Sequence, residues 1–262
     1  MMQATSAARW RGDSESGWGV NFSQQGNILF ATLFTYDLTG HPLWLVMSGG
    51  IKQADGYTFI GDLWQTTGPA FNANPFTPIG PSNLTKVGTM SANFISTIAG
   101  TLNYSVNGTS VTKAVQPQIY GTRAALCAPT PSARTTLSNY QDLWYNAAES
   151  GWGVNITHQD NTLFATLFTY DASGKGLWLV MSGGSKQGDG SYLGDLYQTT
   201  GPTFNAKPFT PIGASNLTKV GAMQFRFSDG NNGTLNYTVN GASVSKTIKR
   251  QEFSTPLLAC SS

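Results

Sequence analysis

The sequence predicts an all-β protein with two tandem antiparallel meander domains, each a β-barrel or a sandwich of about seven to eight strands. The first observation is a long internal repeat. Glu-Ser-Gly-Trp-Gly-Val-Asn occurs at 15–21 and at 149–155, and Leu-Phe-Ala-Thr-Leu-Phe-Thr-Tyr-Asp occurs at 29–37 and at 163–171. The second is a series of short apolar segments, separated by Gly, Pro and Asn turn signals. Because this long period occurs only twice, we infer a duplicated domain and not a short-repeat solenoid.

The repeat also defines the expected domain organisation. The first copy spans 8–128, a linker follows at 129–141, and the second copy spans 142–262. The second copy lacks one residue near Tyr192. Each copy is long enough to bury a core without a metal or several disulfides. The linker is rich in Pro, Ser, Thr and Arg, and we expect it to run over the surface.

Turn signals and alternating side chains predict the strands of the first copy. We expect these strands at 17–23, 28–36, 43–49, 57–66, 89–95, 100–106 and 110–116. The last two are predicted to form a hairpin about Asn107-Gly108, and Asn240-Gly241 is its counterpart in the second copy.

A long loop rich in proline and glycine interrupts this pattern at 67–87 and returns almost unchanged at 200–220. A loop of this length inside a compact domain is usually functional or disordered. Because the second copy preserves it, we predict an ordered loop. We expect four apolar side chains to pack it: Phe71, Phe76, Ile79 and Leu84.

The two cysteines, Cys127 and Cys260, close the two copies. They form either a disulfide, as an oxidising compartment would favour, or two free thiols at fraying ends. Neither lies in a Cys-x-x-Cys motif or near a histidine, which argues against a zinc site or a catalytic thiol.

The repeated motifs resemble a domain of exported bacterial proteins that occurs alone or appended to larger enzymes. The resemblance rests on the Ser-Gly-Trp-Gly entry, the strand at 29–37 and the Trp-Leu-Val-Met-Ser strand at 44–48, and it covers nearly the whole chain in both copies. It implies export and a β-fold, but no particular activity. Gly17 and Trp18 are also weakly similar to the Gly-x-Trp opening of lipocalins and avidins, although here the two residues are adjacent.

We therefore expect a secreted or periplasmic bacterial protein in its mature form, without a signal peptide. The small residues at 4–8 are typical of a chain just after a cleavage site, and an ordinary unstructured N-terminus has the same appearance. The net charge is +2, the basic residues are scattered, and only 11% of residues are charged. We expect no nucleic-acid partner and no membrane span, since no apolar run approaches about 18 residues. The oligomeric state stays open.

The titratable residues point to few catalytic devices. His41 and His158 occupy non-equivalent positions in the two copies, so we interpret both as exposed turn or loop residues. Asp62 lies two residues before Trp64 and shares its strand face, and the second copy keeps this pair as Asp195 and Tyr197. Such an acid lies either in a pocket with a shifted pKa or on the solvated face of an edge strand.

Aromatic side chains carry the binding hypothesis, because tryptophan and tyrosine offer a flat apolar face and one polar group. We expect Trp18 and Trp44 in the core. We expect Trp64, Trp10 and Trp144 to be exposed or to line a pocket. The predicted ligand-binding residues are Trp64, Tyr197, Trp10, Trp144, Tyr36 and Tyr170. The alternative is that these rings simply fill the barrels.

The leading hypothesis is an exported protein that binds a glycan or a small apolar ligand through aromatic-lined barrel sites, with no cofactor. An alternative is a hydrolase of a small ester, lactone or glycoside, with or without a divalent cation such as calcium. Its predicted catalytic residues are Asp62, Asp195, Glu15 and Glu149. A third interpretation is a structural spacer or accessory domain.

Overall fold

The structure, a computed structural model, describes residues 8–12, 14–122, 125–130 and 134–261. Most of the small-residue segment at 4–8 lies outside these ranges. The strands of the first copy are β1 (Ala8–Arg11), β2 (Gly19–Gln25), β3 (Ile28–Tyr36), β4 (Pro42–Lys52), β5 (Thr58–Thr66), β6 (Leu84–Phe94), β7 (Gly100–Val106) and β8 (Thr109–Pro117). A short strand, β9 (Leu126–Thr130), then leads to the second copy.

The second copy repeats this order. Its strands are β10 (Asp142–Tyr145), β11 (Gly153–Gln159), β12 (Thr162–Tyr170), β13 (Gly176–Lys186), β14 (Tyr192–Thr199), β15 (Leu217–Phe227), β16 (Asn232–Val239), β17 (Ala242–Arg250) and β18 (Leu257–Ser261). Short 3-10 turns occupy Pro81–Asn83, Arg134–Thr136 and Ala214–Asn216.

Two closed eight-stranded barrels confirm the predicted fold class and select the barrel over the sandwich. Each is an antiparallel meander in which consecutive strands pair, and β1 closes on β8 as β10 closes on β17. Closure leaves no free strand edge in the described part of either barrel. The predicted strands at 28–36 and 100–106 have their expected bounds. β6 begins at Leu84 instead of 89, and β1 and β9 are additional strands, which are short and lack a clear alternation.

Large aromatic side chains fill the barrel interiors. In barrel one, Trp10 and Phe22 both meet Phe94 edge-to-face, at centroid distances of 5.2 and 5.1 Å. Trp18 and Trp44 are buried, as predicted, but Trp44 packs against Phe168 and Tyr170 of the second copy and not inside its own barrel. The interior is therefore a packed core and not an open channel.

The two barrels pack side by side through a two-fold-like contact, in which the outer faces of β3 and β4 lie against those of β12 and β13. We call the barrel ends that carry loops 37–41 and 67–83 in barrel one and loops 171–175 and 200–216 in barrel two the facing ends, and we call the opposite ends the distal ends. Trp44 Nε1 donates to the carbonyl of Thr169, and Trp178 Nε1 donates to that of Thr35, both at 2.9 Å. These two buried indole donors thus find their acceptors in the other copy, which makes the contact specific.

Each proline-rich loop packs on the other copy, and we call 67–83 and 200–216 the exchanged loops. In the first, the backbone N–H of Phe71 donates to Tyr170 O (2.9 Å) and that of Ile79 donates to Ser150 O (3.0 Å). In the second, Phe204 and Ile212 make the same bonds to Tyr36 and Ser16. The loops are ordered, as predicted, but Leu84 does not pack them, since it is 39% exposed.

The described part of the linker is partly buried, and not wholly at the surface as predicted. Arg134 is buried and pairs with Asp142 at 2.6 Å, and the Arg250 guanidinium donates to the carbonyls of Asn139 and Gln141. Because a buried guanidinium must fill its hydrogen bonds, this segment is fixed against barrel two.

Cys127 and Cys260 form a disulfide, which decides between the two interpretations of these residues. They face each other in a two-stranded ribbon of β9 and β18 that lies outside both barrels. The ribbon therefore joins the chain segments that leave the two barrels.

Candidate ligand-binding site

Asp62 and Asp195 lie on solvated strand faces. Asp62 pairs with Lys86 at 2.7 Å and Asp195 pairs with Lys219 at 2.8 Å, and all four side chains are about half exposed. The hydrogen bond from Lys219 lowers the pKa of Asp195. Of the two placements that the sequence left open, the solvated face is the one observed, although the strand is internal to a barrel and not at a sheet edge.

Their aromatic neighbours are only partly buried. The Tyr197 hydroxyl donates to Asp195 Oδ2 at 3.3 Å, and Trp64 occupies the corresponding position in barrel one, paired in register with Val46. Both rings are of intermediate exposure. These predicted ligand contacts therefore lie on the outer wall of the barrels.

Glu15 and Glu149 are held inside the facing ends. Glu15 accepts from Trp18 Nε1 at 2.8 Å and from Lys113 Nζ at 2.8 and 2.9 Å. In barrel two, Glu149 makes the same contacts with Trp152 and Lys246. A carboxylate that is hydrogen-bonded to an indole and paired with an ammonium stabilises the local fold. The contacts that the described residues show for Glu15 and Glu149 do not include Asp62 or Asp195, the other predicted catalytic residues.

Tyr36 and Tyr170 lie in the contact between the barrels. Both are fully buried, and the hydroxyl of Tyr36 donates to Gly17 O at 2.7 Å while that of Tyr170 lies 2.9 Å from Thr66 Oγ1. Burial raises the pKa of each phenol to about 12. These two predicted ligand-binding residues are thus covered by the other barrel.

Trp10 and Trp144 are likewise not exposed. Each has no accessible surface, and the Arg250 guanidinium lies 5.0 Å from the Trp144 ring. Both lie in the first strand of a barrel, and in a closed barrel that strand is flanked on both sides. The expectation of exposure is therefore corrected, and the alternative of core filling applies to these two.

The cavity that combines aromatic and polar groups lies at the distal end of barrel two. Its volume is about 760 Å³, within the range of small-molecule sites. Tyr140, Tyr192 and Phe227 supply its aromatic wall. The Tyr140 and Phe227 rings stack at 3.7 Å, and Trp144 supports Phe227 from below at 5.0 Å. The wall is thus formed by rings that pack against one another.

Charged groups stand at the mouth of the same cavity. Arg226 donates to Asp189 Oδ2 at 2.6 Å, and Lys186 lines the cavity beside them. Hydrogen bonds from Ser191, followed by that from Arg226, lower the pKa of Asp189 to about 2. The carboxylate therefore stays ionised, and two cations face one anion at the mouth.

His158 packs behind the aromatic wall of this cavity, and the prediction that it is exposed is wrong. It is 3% exposed on β11, where its ring lies edge-on to Tyr192 at 5.3 Å. Burial lowers the pKa of its imidazole to about 4, so the ring is neutral at neutral pH. His41, by contrast, is exposed in a turn, as predicted.

Sequence reasoning missed most of this cavity because it favoured residues that both copies retain. The signal that marks the cavity is the opposite one, a difference between copies. His158 stands where the first copy has Gln24, Tyr192 where it has Phe59, and Arg226 where it has Asn93. The change to Tyr192 adds a hydroxyl group, the change to Arg226 adds a positive charge, and the change to His158 replaces an amide with an imidazole.

No protein family, curated protein or solved structure matches this chain. Within the described residues, no group of three or more His, Cys, Asp and Glu side chains is placed to hold a metal ion. The same part of the chain contains no helix long and apolar enough to cross a membrane.

Proposed function

We propose that this protein binds a glycan in the cavity at the distal end of barrel two. The observation that carries the proposal is the meeting of an aromatic wall, formed by Tyr140, Tyr192 and Phe227, with the charged groups of Arg226 and Asp189 in one cavity. Sugar rings present apolar C–H faces and a rim of hydroxyls, and they need both kinds of partner. This polar mouth favours a glycan over the small apolar ligand that the sequence also allowed.

Export belongs to the same proposal. The disulfide between Cys127 and Cys260 fits an oxidising compartment, where a secreted or periplasmic glycan-binding protein would work. Cell fractionation that recovers the protein only from the cytoplasm would contradict this part.

Calorimetric titration of the purified protein tests the binding. The probes are cellohexaose, chitohexaose and an oligogalacturonate. We expect at least one to bind, and we expect the acidic probe to bind more tightly at low salt, because Lys186 and Arg226 outnumber Asp189. A folded protein that binds none of the three would overturn the proposal.

The duplicated chain offers a matched pair of variants. Lys186→Ala removes a cation from the cavity, whereas Lys52→Ala removes the equivalent lysine of barrel one, which lies 5.8 Å from the Phe59 ring. We expect the first to weaken binding about fivefold or more and the second to leave it unchanged. Equal effects of the two changes would place the ligand elsewhere.

A further inference from the structure

The proton on the buried His158 ring is located by its neighbours. The backbone N–H of Tyr140 donates to His158 Nδ1 at 3.0 Å. A ring nitrogen that accepts a hydrogen bond carries no proton, so the single proton of the neutral imidazole is on Nε2.

The proton on Nε2 already has a hydrogen-bond acceptor within the protein. His158 Nε2 lies 2.9 Å from the carbonyl oxygen of Asp160 and 3.2 Å from the hydroxyl of Tyr192. A carbonyl can only accept, so Nε2–H donates to Asp160, and the Tyr192 oxygen shares the same donor. Tyr192 cannot donate to a nitrogen that is protonated, and it therefore keeps its own hydroxyl proton.

The Tyr192 hydroxyl is thus a donor in need of an acceptor. Its residue is 2% exposed and forms part of the cavity wall, where a buried unpaired donor is costly. Within the described residues, no acceptor other than the His158 ring is recorded for it. Because Tyr192 lines the cavity, a ligand there can supply the acceptor.

We infer that Tyr192 is a specificity-determining residue that donates a hydrogen bond to an acceptor oxygen of the ligand, and that His158 is the positioning residue that directs this donor. The inference rests on the proposed glycan site. The acceptor is a sugar hydroxyl, a ring oxygen or a carboxylate. A ligand that lacks such an oxygen at this point is rejected, because Tyr192 stays unpaired.

The first copy supplies the comparison within the same chain. It has Phe59 in place of Tyr192 and Gln24 in place of His158, so the donor and its support are both missing there. Phe59 packs against Phe94 at 6.2 Å in an apolar core. The pair is therefore a property of barrel two alone.

Two substitutions taken from the first copy test the inference, with binding of the glycan probes measured by calorimetry. Tyr192→Phe removes one hydroxyl and keeps the ring, and we expect it to lower the affinity about tenfold. His158→Gln keeps Tyr192, and we expect a smaller loss, about threefold. With a neutral glycan, wild-type affinity is expected to fall as the pH approaches 4, where His158 takes up a proton, and the Gln variant is expected to lack that fall.

Tyr237→Phe is the control. It removes a buried hydroxyl of the same barrel that donates to Phe71 O in an exchanged loop, and we expect unchanged affinity. A nitrogen-15 spectrum of the imidazole adds a readout that needs no ligand, with the proton expected on Nε2. A proton found on Nδ1 would overturn the inference.

The outcomes separate the two proposals. A wild-type protein that binds none of the probes overturns the glycan site and, with it, this inference. If the wild type binds a glycan and Tyr192→Phe binds it equally tightly, the inference is overturned and the glycan site stands.

Discussion

His158 shows how a single buried side chain couples the stability of this protein to pH. Its imidazole accepts from the Tyr140 N–H and donates to Asp160 O, an arrangement that only the neutral ring can make. The second proton would have to enter a site from which water is excluded, and desolvation is the largest cause of its low pKa.

The sign of the pH effect follows from the two pKa values. The ordinary pKa of histidine is 6.5, whereas the folded protein lowers that of His158 to about 4, so between these values the unfolded chain binds a proton that the folded chain does not. Stability is therefore full above pH 6.5 and falls as the pH drops towards 4. We expect His158 to contribute a loss of about 2–3 kcal/mol between pH 7.5 and 4.5.

Urea unfolding at both pH values measures this contribution. The wild type is expected to lose more stability on acidification than His158→Gln does. His41→Gln changes an exposed turn histidine and is expected to behave as the wild type. The same pH dependence in all three proteins would contradict the assignment.

The sequence predicted the burial of some tryptophans but not of others, for a physical reason. The neighbours of Trp18 and Trp44 in sequence are apolar or glycine, and local pattern suffices to place them in the core. Trp10 sits among arginines, which suggests exposure, yet it is buried because both flanking strands come from elsewhere in the chain. Burial that depends on distant strands leaves no local trace.

At the scale of elements, the exchanged loops decide how the two barrels are held. Phe209 is 5% exposed and lies 5.0 Å from Lys113 Nζ, which also pairs with Glu15. The loop at 200–216 thus covers the facing end of barrel one, and Phe76 covers barrel two in the same way over Lys246. The cation–π contacts add to the apolar burial.

Removing one of these rings is expected to loosen the contact between barrels. Phe209→Ala should lower the free energy of unfolding by about 3 kcal/mol, since it empties a buried site and unshields the pair of Lys113 and Glu15. Leu217→Ala, directly after the same loop and at a residue 38% exposed, is the control and should cost under about 1 kcal/mol. Urea denaturation compares the two, and a similar small loss for both would show that the loop is dispensable.

The sequence predicted that the loop is ordered, but not where it packs. Its own apolar residues, such as Phe71 and Phe76, are visible in the chain. The surface that receives it is assembled from strands far away in sequence, and in a duplicated chain the same surface exists twice. Local pattern therefore cannot distinguish packing within a copy from packing between copies.

At the scale of the whole molecule, the two copies are more alike at the facing ends than at the distal ends. The facing ends keep the pairs of Glu15 with Lys113 and Glu149 with Lys246. At the distal ends, Lys186 and Asp189 of the cavity have counterparts in the first copy, whereas Tyr192 is replaced there by phenylalanine. Retention in both copies therefore does not mark the cavity.

The disulfide is the covalent counterpart of the contact between the barrels. Cys127 and Cys260 are 133 residues apart, so the bond closes a loop that contains all of barrel two and limits the freedom of the unfolded chain. The double variant Cys127→Ser, Cys260→Ser is expected to lose about 2–5 kcal/mol in urea unfolding. The wild type under reducing conditions should match the variant, and an unchanged midpoint in both would contradict a stabilising role.

Loop exchange also has a genetic consequence. Two nearly identical gene halves invite recombination that deletes one of them, and for independent domains the surviving half would still encode a folded product. Here the product of such a deletion would lose the Phe209 or Phe76 cover of its facing end, and the indole of Trp44 or Trp178 would lose its acceptor. Selection for a folded protein would remove such deletions, and the tandem gene is thereby kept intact.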